Sequence, residues 1–230
     1  MPVFYGQTSF PSKTKGAIVN IILMGCPGAG KGTQSAKLQE TFHLTHISTG
    51  DVLRAEIASG SEIGKKIADI ISNGNLVPDG LVISLLESLV KKEDGGIIFD
   101  GFPRTVAQAE ALDEMMSRLQ RQITKVIMIS LPESEVVGRI SSRRQCRKCG
   151  GIFHSTSAMQ TNVCPVCKGE LYTRPDDTPE RVKHRLEVYQ KETLPVKEYY
   201  LRSGKYAEVN GHQTPEQVFE SIKDILKKEK

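Results

Sequence analysis

The sequence predicts an α/β protein: a parallel sheet covered by helices on both faces, with one small inserted module. Two observations carry that expectation. Five short apolar runs alternate with amphipathic stretches of helical length, the rhythm of strand–helix–strand units. The first run leads straight into a glycine-rich turn that opens a helix. At 230 residues the chain suffices for one compact domain with an insertion, or two small domains, and needs no disulfides to fold.

In chain order, strands are expected over 18–24, 44–47, 96–100, 125–131 and 206–209. Helices are expected over 31–42, 49–58, 62–73, 79–92, 105–120, 133–144, 179–201 and 215–228. The 18–24 run is interrupted by Asn20 and falls short of the ~18 residues of a membrane helix. With no charged leader and no cleavage site it reads as a buried strand rather than a secretory signal. The last helix has a marked start: Thr214 as N-cap, Pro215 in the first turn, and Gln217 three residues after the cap. Pro195 is expected to kink or break the 179–201 stretch. Residues 145–177 hold four cysteines and no long periodic segment, and read as the inserted module. Residues 1–17 carry two lysines, no acidic residue and no arginine, and read as a loose extension rather than a transit peptide.

Charged residues make up 25% of the chain and apolar ones 38%, which excludes disordered, collagen-like and coiled-coil classes. The balance of 31 basic against 27 acidic residues gives +4. That excess is too small to argue for a nucleic-acid partner, but it suits a pocket for a polyanionic small molecule. The chain reads as cytoplasmic, with neither a membrane nor a nucleic acid among its expected partners.

Gly25-Cys26-Pro27-Gly28-Ala29-Gly30-Lys31-Gly32-Thr33 follows the first strand. Consecutive backbone N–H groups in such a loop cradle phosphate oxygens, and the helix N-terminus adds its positive dipole end. Lys31 supplies a mobile charge for the β and γ phosphates. The usual pattern places Ser or Thr directly after the lysine; here Gly32 intervenes and Thr33 brings the hydroxyl. Asp100 ends an apolar run and is followed at once by Gly101-Phe102-Pro103-Arg104. At the carboxyl end of a parallel strand Asp100 either holds Mg2+, directly or through water, or caps the turn before the next helix. Arg54, Arg139, Arg143, Arg174 and Arg185 gather at element ends, as phosphate ligands or as solvated surface groups.

Cys146-x-x-Cys149 and Cys164-x-x-Cys167 are separated by fourteen residues. In a chain that reads as unsecreted, two such knuckles point to a closed four-thiolate Zn2+ site, structural rather than catalytic. His154 is a weaker candidate ligand. Cys26 stands apart in the glycine-rich loop, where oxidation or alkylation would block a bound phosphate.

Together these motifs resemble the adenylate kinase family, of the type with a zinc-bearing lid. The resemblance rests on Gly28 to Thr33, Ser48-Thr49-Gly50-Asp51 with Leu53-Arg54, Asp100 to Arg104 with Gln108, Arg139 with Arg143, and Arg174-x-Asp176-Asp177 with Arg185. It implies a three-layer P-loop fold with a parallel five-stranded sheet and two inserts. The core would comprise 18–47, 78–141 and 178–230; the AMP-binding helical insert, 48–77; and the lid, 142–177. It also implies the reaction Mg·ATP + AMP ⇌ 2 ADP in a monomer, with ATP, AMP and ADP as partners. Gly28, Ala29, Gly30, Lys31, Gly32 and Thr33 would hold the ATP phosphates, Arg139 the ATP adenine, and Arg143 its phosphates. Ile152, Phe153 and Gln213 would line the ATP base and ribose. Thr49 and Gln108 would meet the AMP base, and Arg54 and Arg104 its phosphate. Asn75, Leu76, Val77, Gly101, Phe102 and Pro103 would complete that site, and Arg174 and Arg185 would bridge the transferring group. Mg2+ would be held by Asp100 and Thr33, through water.

Two other readings share parts of this pattern. A UMP or CMP kinase has the same loop and arginines, although Thr49 and Gln108 favour adenine by resemblance. A zinc-ribbon nucleic-acid binder would need a basic, aromatic-studded face, and residues 145–177 offer only Phe153 and Tyr172.

Overall fold

A computed structural model describes residues 18–72, 75–154 and 162–227. The chain runs β1 (Asn20–Met24), α1 (Lys31–Phe42), β2 (Thr45–Ser48), α2 (Thr49–Ala58), α3 (Glu62–Ser72), α4 (Asp79–Val90) and β3 (Ile97–Asp100). It continues through α5 (Val106–Arg118), β4 (Lys125–Ser130), α6 (Glu133–Ser141), β5 (Arg143–Cys146), β6 (Ile152–His154) and β7 (Leu171–Tyr172). Last come α7 (Pro179–Val188), a π-helical turn Tyr189–Thr193, α8 (Val196–Arg202), β8 (Tyr206–Asn210) and α9 (Pro215–Lys227).

The five-stranded sheet has the order β2-β3-β1-β4-β8, and its neighbours pair in parallel. Side chains alternate across a strand, so each central strand feeds two cores. Ile22, Phe99 and Met128 enter one, with Leu112, Met116 and Tyr200 from the helices. Ile21, Leu23, Ile98 and Ile127 enter the other, with Leu38 of α1, Ile140 of α6 and Ile222 of α9. The result is three layers with helices on both faces, as the sequence predicts. Strands β2, β3 and β1 end side by side, with Ser48 opposite Asp100 and Asp100 opposite Leu23. This edge of strand ends is where the site is built.

Two smaller units rise over it. Helices α2 and α3 pack against one another, and a three-stranded antiparallel sheet has the order β6-β5-β7. The stretch 145–177, which reads as an inserted module without a long periodic segment, carries part of that sheet in short strands. The expected 133–144 helix ends at Ser141, and the chain turns into β5 at Arg143. The expected 179–201 helix is interrupted by the π turn and restarts behind Pro195, which caps α8. The reason is the missing N–H and the ring bulk of Pro195, which forbid a continuous helix. At α9 the capping box forms: Gln217 N donates to Thr214 Oγ1 at 3.3 Å, and Thr214 N donates to Gln217 Oε1 at 3.1 Å. The expected extension over residues 1–17 lies outside the described residues. No described helix is long and apolar enough to cross a membrane.

Gly64 of α3 is where the two upper helices touch, and a Cβ there would collide with the Glu56 carbonyl of α2. Gly64→Ala is therefore expected to lower stability by about 1–3 kcal/mol, the usual cost of overpacking. Urea unfolding checks this, and an unchanged midpoint would contradict the close contact.

Candidate functional site

A cleft of about 960 Å3 opens between the strand ends and the two smaller units. Lys31, Arg54, Arg104, Arg139, Arg143, Arg174 and Arg185 all line it. Each comes from a different local context. Lys31 opens α1, Arg54 lies on α2, Arg104 follows β3, and Arg139 ends α6. Arg143 begins β5, Arg174 follows β7, and Arg185 lies on α7.

The glycine-rich loop turns tightly after β1, with Ala29 N donating to Cys26 O at 3.1 Å. Gly25 at φ 151° and Gly30 at φ 95° hold conformations that a side chain rarely adopts. A Cβ on Gly25 would also press on the Ile129 carbonyl, 2.7 Å away. Nothing lies within 4 Å of a Cβ built on Gly30, so the backbone there faces open space. Lys31 Nζ donates to the carbonyls of Gly25 at 2.8 Å and Cys26 at 3.1 Å, folded back along its own loop. Loss of water around it lowers its pKa, against the pull of Asp100. Cys26 is buried, and that burial pushes its thiol up, away from the reactive thiolate.

Asp100 is buried beside the start of α1, and its Oδ2 lies 3.1 Å from His46 Nε2. Thr33 lines the same cleft. The carbonyl of Gly101 is a shared acceptor: Thr49 Oγ1 donates to it at 2.9 Å and Arg104 Nε at 2.7 Å. Gly101 sits at φ 75°, and a Cβ there would meet the Thr49 hydroxyl at 3.2 Å. Gln108 is buried; its Oε1 accepts from Arg104 N at 2.7 Å and its Nε2 donates to Asp79 Oδ1 at 2.5 Å. Both ends of that amide are thereby assigned.

Four of the arginines, Arg54, Arg139, Arg143 and Arg185, are held by carboxylates. Arg54 Nη2 donates to Asp51 Oδ1 at 2.5 Å. Burial pushes the Asp51 carboxyl up, but Arg54, Ser48 and Arg174 together outweigh it and the net direction is down. Arg143 makes a two-pronged pair with the fully buried Asp177, Nε donating to Oδ2 at 2.8 Å and Nη2 to Oδ1. Arg185 Nη1 donates to Asp176 Oδ2 at 2.7 Å. Arg139 Nη2 donates to Glu135 Oε2 at 3.2 Å and to the Gly211 carbonyl at 3.0 Å. Desolvation and the neighbouring Arg185 lower Arg104 to about 10. Desolvation together with Arg54 and Arg143 lowers Arg174 to about 10 as well. Buried like charges at this density favour a bound polyanion.

Above the loop, Ile152 of β6 packs over Gly32, 3.1 Å from a Cβ built there. Phe153 and His154 line the cleft beside it. The sulfurs of Cys146, Cys149, Cys164 and Cys167 lie within 4.8 Å of one another. Cys146 Sγ stands 3.4 Å from Cys167 Sγ, and Cys149 Sγ 3.7 Å from Cys164 Sγ. Four thiolates at ~2.3 Å from a tetrahedral Zn2+ would be about 3.8 Å apart, so the spacing fits. Backbone N–H groups pull the Cys146 thiol down to about 6, Cys149's first. A Cβ on Gly169 would meet Cys146 Sγ at 3.0 Å and Cys167 Sγ at 3.3 Å, which ties that turn to glycine. His154 instead bonds Ser142, Oγ to Nδ1 at 3.2 Å, on a strand running away from the thiols.

Residues 23–205 match the family model described as Adenylate kinase. The chain belongs to the adenylate kinase family. An adenylate kinase of Archaeoglobus fulgidus is 45% identical over 214 residues, covering 91% of this chain and 99% of that protein. An adenylate kinase of Lactobacillus delbrueckii subsp. bulgaricus is 45% identical over 217 residues, 92% and 100% of the two chains. One from Thermosipho africanus is 45% identical over 214 residues, 91% and 100% of the two.

Among the residues expected to bind in a protein of this family, most line one cleft. They are Gly28, Gly30 to Thr33, Thr49, Arg54, Asn75 to Val77, Asp100 to Arg104, Gln108, Arg139, Arg143, Ile152, Phe153, Arg174 and Arg185. Ala29 is buried behind the loop. Gln213 is exposed and does not line the cleft; its loop reaches the site only through the Gly211 carbonyl on Arg139. Sequence reasoning missed Asp79 and Gln145. Neither belongs to a spaced motif, and only the tertiary fold brings them to Gln108 and Arg174.

Desolvation and mutual repulsion of Arg104, Arg174 and their neighbours are relieved when a polyanion enters the cleft. Inorganic tripolyphosphate is therefore expected to raise Tm at neutral pH, and less so in high salt. No Tm shift, or one unaffected by ionic strength, would contradict guanidinium binding.

Proposed function

We propose that the protein catalyses reversible, Mg2+-dependent phosphoryl transfer from ATP to AMP, giving two ADP and balancing adenine nucleotides. The observation that carries this reading is the convergence of Lys31 and six arginines on one cleft from both smaller units and the sheet edge. A donor polyphosphate on the glycine-rich loop and an acceptor phosphate near Arg54 and Arg104 would fill it end to end.

The acceptor phosphate is already an anion, so the step needs no general base. Its oxygen forms the bond to the γ phosphorus as the bond to the bridging oxygen breaks, in line. Lys31 moves from the Gly25 and Cys26 carbonyls to the donor phosphates held by Gly28 to Thr33. Arg143 takes the donor phosphates, and Arg139, Ile152 and Phe153 flank the donor adenosine. Arg54 and Arg104 fix the AMP phosphate. Thr49, its hydroxyl donating to the Gly101 carbonyl, and Gln108 meet the AMP base, beside Asn75 to Val77 and Gly101 to Pro103. Arg174 and Arg185 lie on the phosphoryl group between the two. Asp100 and Thr33 would hold the Mg2+ that comes with ATP, and the ion would supply further charge neutralisation on the phosphates. Residues 48–77 close over AMP and residues 142–177 close over ATP, excluding water that would otherwise accept the phosphoryl group.

In the lid, Cys146, Cys149, Cys164 and Cys167 would hold Zn2+. Four thiolates leave no open position, so the ion would contribute stability and not chemistry. Metal-binding thiols suit a reducing compartment, and we place the enzyme in the cytoplasm as a monomer.

Lys31→Met and Arg104→Gly are each expected to lower kcat by several orders of magnitude with the fold intact; near-normal turnover in either would sink the assignment. ADP formation from Mg·ATP with AMP, UMP, CMP and GMP in parallel is expected with AMP alone. Turnover with another acceptor would keep the mechanism and overturn the roles of Thr49 and Gln108. Replacing Cys164 and Cys167 by Ser is expected to lower Tm and release bound zinc, with activity at 25 °C retained. Loss of that activity from a folded protein would show that the metal does more than brace the lid.

A further inference from the structure

Strand β5 presents alternate residues to two different tasks. Arg143 and Gln145 line the cleft, while Cys146 joins the thiol cluster. Gln145 is 6% exposed and pairs across the sheet with Tyr172 on one side and Ile152 on the other. Its Oε1 accepts from Arg174 Nε at 2.7 Å and from the Tyr172 hydroxyl at 3.0 Å, and its Nε2 donates to the Gly150 carbonyl at 3.3 Å. Two donors on one end and an acceptor on the other assign the amide: a flip would set N–H against N–H and oxygen against oxygen.

We propose that Gln145 is a positioning residue for phosphoryl transfer, holding Arg174 through Nε and leaving its two terminal nitrogens for phosphate oxygens. The proposal rests on the reading that Arg174 contacts the transferring group. Its physical basis is the contrast with Arg143 and Arg185. Arg143 is held by Asp177 and Arg185 by Asp176, each with a full negative charge. Arg174 feels the repulsion of Arg54 and Arg143 and the weaker pull of Asp51 and Asp176, and its side-chain hydrogen bond to Gln145 fixes its direction among them. A carboxylate in that place would hold the guanidinium but cancel the charge it must present. A neutral carbonyl oxygen, itself fixed by Tyr172 and Gly150, supplies direction without cancelling charge.

The test is a double-mutant cycle on kcat and KM with Gln145→Met and Arg174→Ala in the full-length, metal-loaded protein. Gln145→Met is expected to lower kcat by roughly ten- to a hundredfold, the scale of a misplaced catalytic group, with the KM for both nucleotides little changed. In the Arg174→Ala background the same replacement is expected to change kcat by less than about twofold, because its effect runs through that side chain. A wild-type kcat in Gln145→Met beside a lowered one in Arg174→Ala overturns the positioning role and leaves the proposed function standing. A wild-type kcat in Arg174→Ala overturns the phosphate role of Arg174 and this proposal with it. An effect of Gln145→Met that persists without Arg174 also overturns it. If Gln145→Met fails to fold, Gln145→Glu carries the test. That variant keeps the hydrogen bond and is expected to hold Tm while kcat drops, and a wild-type kcat in it overturns the proposal.

Discussion

The constraint on which the structure depends is mutual repulsion among cations held out of water. Arg104 and Arg174 are both lowered to about 10 by lost hydration and by other guanidiniums nearby, and Lys31 is lowered by the same desolvation. Such a cluster persists only if each member is tied down. Asp51, Asp176 and Asp177 do this by charge, and Gln145, Gly101 and the loop carbonyls do it by neutral oxygens. The neutral contacts leave positive charge uncancelled, and that charge suits the cleft to a polyanion.

The fold serves this constraint by separating the anchors. Three parallel strands end together, with Asp100 on the middle one, one strand spacing from Ser48 on one side and from the strand that leads into the glycine-rich loop on the other. Of the other cations, Arg54 rides on α2 and Arg143 on the small antiparallel sheet with Arg174 just beyond it, while Arg139 and Arg185 stand on α6 and α7, whose Ile140 and Val182 are packed in the main core. The thiol cluster matters here because β5 carries Arg143 and Gln145 on the same strand that carries Cys146. Whatever stiffens the cysteine turns also stiffens the strand that aims two cleft residues.

Much of this was legible in the sequence, for definite reasons. A strand buried on both faces cannot hide, so β1 and β3 stand out as apolar runs. The glycine-rich loop, the paired cysteines and Thr214-Pro215 with Gln217 are local patterns whose geometry follows from spacing alone. What was illegible lay in contacts between distant segments. The helix over 133–144 was expected to run on because Ser141 to Arg144 has no strong breaker, yet cross-strand pairing of Arg143 with His154 captured those residues for β5. Gln145 in Arg-Arg-Gln-Cys carries no signal until Tyr172 and Arg174 fold against it. Asp79 looks like an ordinary first-turn acid of α4 until Gln108 meets it 29 positions later. Gln213, whose expected place rests on resemblance, is exposed here and does not line the cleft.

The most direct test of the account is a crystal structure of the protein with AMP and a non-hydrolysable ATP analogue bound together. The account predicts that Lys31 Nζ leaves the Gly25 and Cys26 carbonyls for the donor phosphates. It also predicts that Arg174 and Arg185 converge on the γ phosphate, with Gln145 still holding Arg174 at Nε. Phosphates lying outside the guanidinium cluster, with Lys31 still bonded to its own loop, would contradict it.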